Sequence, residues 1–247
     1  MSSQPDVAAA IVAAGRRLYK SRILASYEGN LSARIGSDRV LTTATGTHKG
    51  RLLETDLVLV DLAGEPLSDG HPSSELKLHL AIYGERPEVR AVVHAHPPIA
   101  TGYAVAGKQP PAALAEIVAF LGCVPVAPYG TPSTAALADS VRAPIREFDV
   151  VLLANHGAVA VGSTVEMAEE RMVQLEHFAQ IALVAHLLGG PRHFSREQIE
   201  ELSELREAAG GLPVPAICYP STEESGTITL SHDDLVGLIA DALRTIR

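Results

Sequence analysis

Cysteine is nearly absent from this chain, with Cys123 and Cys218 the two examples in 247 residues. They lack the close spacing of a metal-binding pair, so neither a disulfide framework nor a cysteine-based zinc site is indicated. Basic charge is also scarce. Lys and Arg number 20 against 29 Asp and Glu, for a formal net charge of -9. That balance argues against a nucleic-acid surface and selects no substrate by itself. No apolar run reaches the ~20 residues of a membrane span. The first residues carry neither the basic stretch nor the apolar stretch of a signal peptide. The expectation is a cytoplasmic protein with no membrane partner. Internal repeats and low-complexity linkers are missing as well. What remains, 47% apolar and 20% charged residues, is an ordinary globular balance, enough for one domain over 1–247 with a continuous core.

Periodicity outlines the elements. Val7, Ile11 and Leu18 describe an amphipathic opening helix ending near Ser26. Leu31 to Ile35 and Val40 to Thr43 form a hairpin around Gly36, and Leu57 to Asp61 is a further strand. Helical spacing recurs from Leu76 to Tyr83, from Ile99 to Ala106, from Leu114 to Leu121 and from Pro132 to Val141. Val124 to Pro128 reads as an edge strand because of its prolines. Asp149 to Asn155 and Ala158 to Val161 read as strands, and Val165 to Leu188 as the longest helix. The apolar side of that helix is expected at Met167, Val173, Phe178, Ile181 and Val184, with His177 and His186 structural or at the surface. Ser195 to Ala208 reads as a helix with a solvated charged face. A strand at Thr227 to Leu230 and a helix from Ser231 close the chain. Strands and helices mix without regular alternation, which argues for α+β or a layered α/β fold over a Rossmann fold or a TIM barrel.

The chemistry concentrates between Pro72 and Pro97. His94 and His96 are two apart in a strand-type run, so they share a face and can bind one ion together. Pro72-Ser73-Ser74-Glu75 reads as a helix start, whose free N–H groups and hydroxyls suit an anion. His156, between Asn155 and Gly157 at the end of another strand, is the candidate third ligand. Three imidazoles with an open position are the ligand set of catalytic rather than structural zinc. The plain reading of each is a polar residue at a strand end. The loop holding Thr45 and Gly46 can present N–H groups to a phosphate, or it is a surface turn. Glu75 is either an acid/base group beside the ion or a first-turn carboxylate favouring the helix dipole.

Taken together, Gly29-Asn30-Leu31-Ser32, Thr45-Gly46, Lys49-Gly50-Arg51-Leu52, Ser73-Ser74-Glu75, His94-Ala95-His96-Pro97 and Asn155-His156-Gly157 resemble the class II aldolase/adducin family over roughly residues 5 to 190. The resemblance implies a three-layer α/β/α fold with a largely antiparallel central sheet, in a homotetramer with sites at subunit interfaces. It implies one divalent ion per chain on His94, His96 and His156, with Zn2+ first and Mn2+ or Co2+ as alternatives. The ion would polarise a bound ketose and stabilise an enediolate. Glu75 would exchange the proton and ligate the ion at rest. The phosphate of a phosphorylated sugar would fall to Gly29, Asn30, Thr45, Gly46, Ser73 and Ser74.

One departure bears on the reaction. Fuculose-phosphate aldolases carry a tyrosine proton donor just before the segment matching Val124 to Tyr129. Here Leu114 to Leu121 has no tyrosine, and Glu116, its titratable group, is a second candidate catalytic residue beside Glu75. Aldol cleavage of a ketose 1-phosphate to dihydroxyacetone phosphate and an aldehyde is the first reading. A dehydratase or decarboxylase on the same site is the alternative, and a non-enzymatic adducin-like module is disfavoured by the complete ligand set. Lys49 is either a phosphate-side charge or an exposed loop lysine. His79 reads as a satisfied core histidine or a partner of the ligands. His48, His71 and Tyr219 carry no assigned role.

Overall fold

The computed structural model describes residues 4–219. The expected strand at Thr227 to Leu230 and the helix from Ser231 lie outside the described residues. Helix α1 (Gln4–Lys20) buries Ile11, Ala14 and Leu18 along one stripe. It stops earlier than expected, where Arg22 takes a left-handed conformation, φ 61°. Strands β1 (Asn30–Ile35) and β2 (Arg39–Thr43) form the expected hairpin, and β3 (Leu57–Asp61) pairs with β2. Then come α2 (Leu76–Glu85), β4 (Ala91–Ala95), α3 (Pro98–Val105), α4 (Ala115–Leu121), β5 (Val126–Ala127) and α5 (Ala135–Ile145). Strands β6 (Val150–Leu153) and β7 (Gly157–Gly162) precede α6 (Val165–Leu187) and α7 (Arg196–Ala208).

The strands make one seven-stranded sheet in the order β3-β2-β1-β4-β7-β6-β5. Every pair is antiparallel except β5 with β6, and β5 is an edge as its prolines predicted. Alternation along the strands feeds two cores. Leu31, Ala33, Ala91, Val93, Ala158 and Ala160 pack with α1, α3 and α6. Val40, Val92, Val151, Val159 and Val161 pack with α2 and α5 on the opposite face. The result is the expected three-layer α/β/α arrangement with a largely antiparallel sheet.

Four expectations need correction. Helix α5 starts three residues later than its pattern suggested and continues through Pro144 to Ile145. The inward stripe of α6 is Ala168, Met172, Leu175, Phe178, Ala179 and Ala182, while Met167, Val173, Ile181 and Val184 are exposed. Counting large apolar residues failed there because the true stripe is rich in alanine and includes two buried glutamates. Glu169 is bound by Arg17 at 2.6 Å, and Glu176 accepts from the N–H groups of Ile99 and Ala100 at the start of α3. Cys123 and Cys218 are joined by a disulfide, their Cα atoms 5.6 Å apart across 95 residues of sequence. A separation that long leaves no spacing pattern to read.

The fourth concerns α7, whose Arg206 is buried rather than solvated. It donates to Asp149 at 2.9 Å and to the carbonyls of Leu212 and Phe120. Arg86 and Arg171 each reach Asp149 at 2.8 Å. One buried carboxylate thus ties α7, α6 and the end of α2 to the start of β6. Removing it would leave three guanidinium groups uncompensated, and breaking a buried ion pair costs about 3–5 kcal/mol. Asp149→Asn is therefore expected to lower unfolding stability by about that amount. Urea denaturation measures it, and a loss below about 1 kcal/mol would mean that the arginines find other partners.

Candidate metal centre

The site lies at the end of the sheet opposite Asp149. His94 occupies the penultimate position of β4, where it faces Asn30 of β1 and Val159 of β7. His96 follows one residue past the strand, and Pro97 and Pro98 turn the chain into α3. His156 sits in the tight turn from β6 to β7, closed by His156 N–H on the Leu153 carbonyl at 3.0 Å. Asn155 takes φ 55° there, a conformation that asparagine tolerates better than most residues. Gly157 has to be glycine, because a Cβ would lie 2.4 Å from the His96 ring. Pairing of β4 with β7 therefore delivers all three imidazoles to one point, where their ligand atoms lie within 4.8 Å of one another.

The hydrogen bonds behind the rings set which nitrogen faces inward. His94 Nδ1 donates to the Ala158 carbonyl at 2.9 Å, and His96 Nδ1 donates to Glu28 at 3.1 Å. Their Nε2 atoms then face inward and lie 3.2 Å apart. His156 Nδ1 is buried and has no hydrogen-bond partner among the described residues. Burial, with His94 beside it, pushes His156 down to about 4, and burial likewise lowers His96. The lowered basicity of His96 and His156 favours the neutral imidazole that metal ligation requires. These residues fit a divalent ion held by three imidazoles with a position left open.

Glu75, the N-cap residue of α2, closes the site. Its side chain caps nothing. Instead Oε2 lies 3.1 Å from His94 Nε2, and Oε1 lies 3.3 Å from His156 Nε2. Burial opposes its ionised form, but the His94 hydrogen bond, the neighbouring histidines and Asn30 outweigh burial and hold the carboxyl down to about 2. The helix-dipole reading of Glu75 is not where its carboxylate points.

The other sequence candidates divide. Ala44 bridges Pro72, and Ser73 N–H donates to the Thr43 carbonyl, so the Thr45-Gly46 loop and Ser73-Ser74 stand side by side. Among the described residues, the N–H groups of Gly46, Thr47 and Ser74 have no partner. Gly46 opens onto space, at φ 69°. Gly29, at φ 67°, lies against the His94 carbonyl. Asn30 is buried, its amide spent on Glu75 at 3.0 Å and on His79 at 2.5 Å. Lys49 is buried rather than an exposed loop lysine. It donates to the Thr47 carbonyl at 2.9 Å, and burial pushes it down to about 8. His79 is the satisfied core histidine. His48 accepts from Gly50 N–H, and Tyr219 lies under Arg196. Glu116 is exposed in the first turn of α4 and joins none of the site's hydrogen bonds. Glu28 was missed, since nothing in the sequence marks a loop carboxylate that touches a ligand only through the fold.

A model of the class II aldolase and adducin N-terminal domain matches residues 9–183. The chain belongs to this class II aldolase and adducin family. It is 32% identical over 210 residues to a 3-oxo-tetronate 4-phosphate decarboxylase of Pectobacterium atrosepticum, covering 82% of this chain and 95% of that protein. It is 32% identical over 203 residues to a 5-deoxy-D-ribulose 1-phosphate aldolase of Bacillus thuringiensis, covering 81% and 95%. Among solved structures, an L-fuculose 1-phosphate aldolase superposes with a TM-score of 0.78 at 29% identity, covering 85% of this chain and 98% of that one. This family member thus resembles relatives of more than one lyase chemistry. No helix among its described residues is long and apolar enough to cross a membrane.

His94→Ala and His156→Ala are each expected to abolish stoichiometric binding of a divalent ion, as read by metal analysis after dialysis. Glu28→Ala, which removes the acceptor behind His96, is expected to weaken binding only about tenfold. Full metal content in both histidine variants would remove the site.

Proposed function

We propose that this chain is a metal-dependent lyase that cleaves a small ketose 1-phosphate into dihydroxyacetone phosphate and an aldehyde. The observation that carries the reading is Glu75, an ionised carboxylate seated between two of three converging imidazoles and beside a loop whose N–H groups have no partner among the described residues. A divalent ion bound by His94, His96 and His156, most simply zinc, supplies Lewis acidity to the carbonyl and hydroxyl oxygens of the substrate. The three histidines hold it and leave substrate an open position. The bond between C3 and C4 breaks, its electron pair stays on C3, and the C4 hydroxyl gives its proton to the ionised Glu75 as the aldehyde forms. Glu75 delivers the proton that C3 then takes up, and removes it in the condensation direction.

Gly46, Thr47 and Ser74 N–H groups, with the hydroxyls of Thr45, Ser73 and Ser74, receive the phosphate dianion. Neutral donors of this kind need no basic surface, in keeping with the net charge of -9. Lys49 sits behind the same loop and adds its charge through Thr47. The assembly in this reading is a homotetramer. The exposed Val173, Ile181, Val184 and Leu187 on α6 support burial of that face against another copy.

Decarboxylation of a phosphorylated 3-oxo acid is the second reading. Loss of carbon dioxide leaves the electron pair on the same type of carbon and requires no base for a departing hydroxyl proton. The missing phenol at Leu114 to Leu121 and the exposed Glu116 favour it, as does the likeness to the Pectobacterium enzyme.

Glu75→Gln keeps the size of the side chain but cannot carry the proton, so turnover is expected to fall by ~10²–10⁴-fold with metal retained. Wild-type holoenzyme with dihydroxyacetone phosphate in heavy water should exchange one C–H proton without any aldehyde present, and the variant should not. Wild type that fails to exchange, yet releases carbon dioxide from a 3-oxo acid phosphate, would replace the first reading by the second.

Ser74→Ala is expected to raise KM for the phosphorylated substrate more than it lowers kcat, because the phosphate is remote from the bond that breaks. Inorganic phosphate should compete with substrate in wild type. No competition would mean that this loop does not receive phosphate.

A further inference from the structure

Behind Glu75 a line of buried polar groups crosses from β1 to α2, and the proposed reaction uses none of them directly. Asn30 Nδ2 donates to Glu75 Oε2 at 3.0 Å, and Asn30 Oδ1 meets His79 Nε2 at 2.5 Å. His79 Nδ1 meets Ser32 Oγ at 2.6 Å, and Ser32 Oγ meets Tyr83 Oη at 2.9 Å. Asn30, Ser32, His79 and Tyr83 are each 4% exposed or less, so water cannot replace any of these partners. His79 and Tyr83 are four apart and share the inner stripe of α2, while Asn30 and Ser32 share one face of β1.

The direction of the chain follows from its end. A carboxylate only accepts, so Asn30 presents its NH2 to Glu75 and its carbonyl to His79. His79 Nε2 must then carry the proton, and Nδ1 is left with its lone pair. Ser32 therefore donates to Nδ1, and Tyr83 donates to Ser32. Burial, which pushes His79 down to about 3 and raises Tyr83, keeps the imidazole neutral and the phenol protonated. Reversing the chain would turn the Asn30 carbonyl onto the Glu75 carboxylate, setting two acceptors against each other.

We propose that His79 is a positioning residue for Glu75, and that the Tyr83–Ser32–His79–Asn30 chain anchors Oε2 so that Oε1 stays free and aimed at the three-histidine centre. Oε1 is the buried carboxylate oxygen with no hydrogen-bond partner among the described residues, and it lies on the His156 side. The anchor holds Glu75 in place by one oxygen only. The consequence for rate rests on Glu75 being the proton-transfer group of the proposed lyase; the hydrogen-bond chain itself does not.

Two measurements test it. In nitrogen-15 NMR of the resting protein at neutral pH, His79 should appear as the neutral Nε2–H tautomer, with a downfield, unprotonated Nδ1. Ser32→Ala should shift Nδ1 and leave Nε2–H in place. A neutral Nδ1–H tautomer, or a doubly protonated ring, overturns the proposal, and this readout needs neither substrate nor a correct reaction assignment. In turnover, His79→Phe, which keeps the ring and severs both bonds, should lower kcat by about 10–100-fold with KM and metal content unchanged. His79→Gln, which can still donate to Asn30, should recover most of that loss. Equal losses in the Phe and Gln variants, or a loss confined to KM, would refute the positioning role. Should His79→Phe fail to fold, Ser32→Ala decides, with a smaller fall in kcat at constant KM expected and an unchanged kcat contrary to the proposal.

Discussion

The pairing of β4 with β7 is the contact on which the site depends. Register places His94 opposite Val159 and Ala95 opposite Ala158, so the β6–β7 turn meets the end of β4. A slip of one residue would send His94 to the other face of the sheet and part it from Glu75. The hydrogen bond from His94 Nδ1 to the Ala158 carbonyl is a side-chain expression of the same register. Two glycines permit the closeness. Gly157 makes room for the His96 ring, and Gly29 lies against the His94 carbonyl. Ligand geometry is thus set mostly by backbone pairing, with little left to side-chain freedom.

The two faces of the sheet do different work. The face under α1, α3 and α6 is apolar, and its buried glutamates hold helices in place. Glu176 takes the first N–H groups of α3 and so fixes the course of the chain just after His96. The face under α2 carries the polar chain that ends on Glu75. Buried polar groups are tolerated there because each has its partner. Oε1 of Glu75 and Nδ1 of His156 are exceptions that belong to the centre itself, and Arg34 Nε beside Tyr83 is a further one outside it. At the other end of β6, Asp149 gathers three arginines with no such vacancy, which marks that cluster as a fastening of helices.

Much of the fold was legible because its elements are short and strongly patterned. The hairpin, β3, α3, α4 and the long α6 fell within a few residues of their predicted bounds. The inward face of α6 did not, since alanines and bound glutamates carry little hydrophobic signal while exposed valines and leucines carry much. Pro144 was expected to lie beyond the helix, yet it sits in the last turn of α5. Cys123 and Cys218 offered no clue to their pairing across 95 residues.

The sequence by itself determined the three histidines, the glutamate and the small-residue loops, because side-chain period, proline stops and glycine placement are local facts that a strand or helix must obey. It also determined the layered fold class and the family resemblance. Only the tertiary structure decided what each side chain faces. It turned Asn30 inward to Glu75 and His79, buried Lys49 behind the loop, brought Glu28 to His96 and left Glu116 outside the centre. Those outcomes depend on contacts between residues far apart in the chain, and no local pattern encodes which distant partner a buried polar group will find.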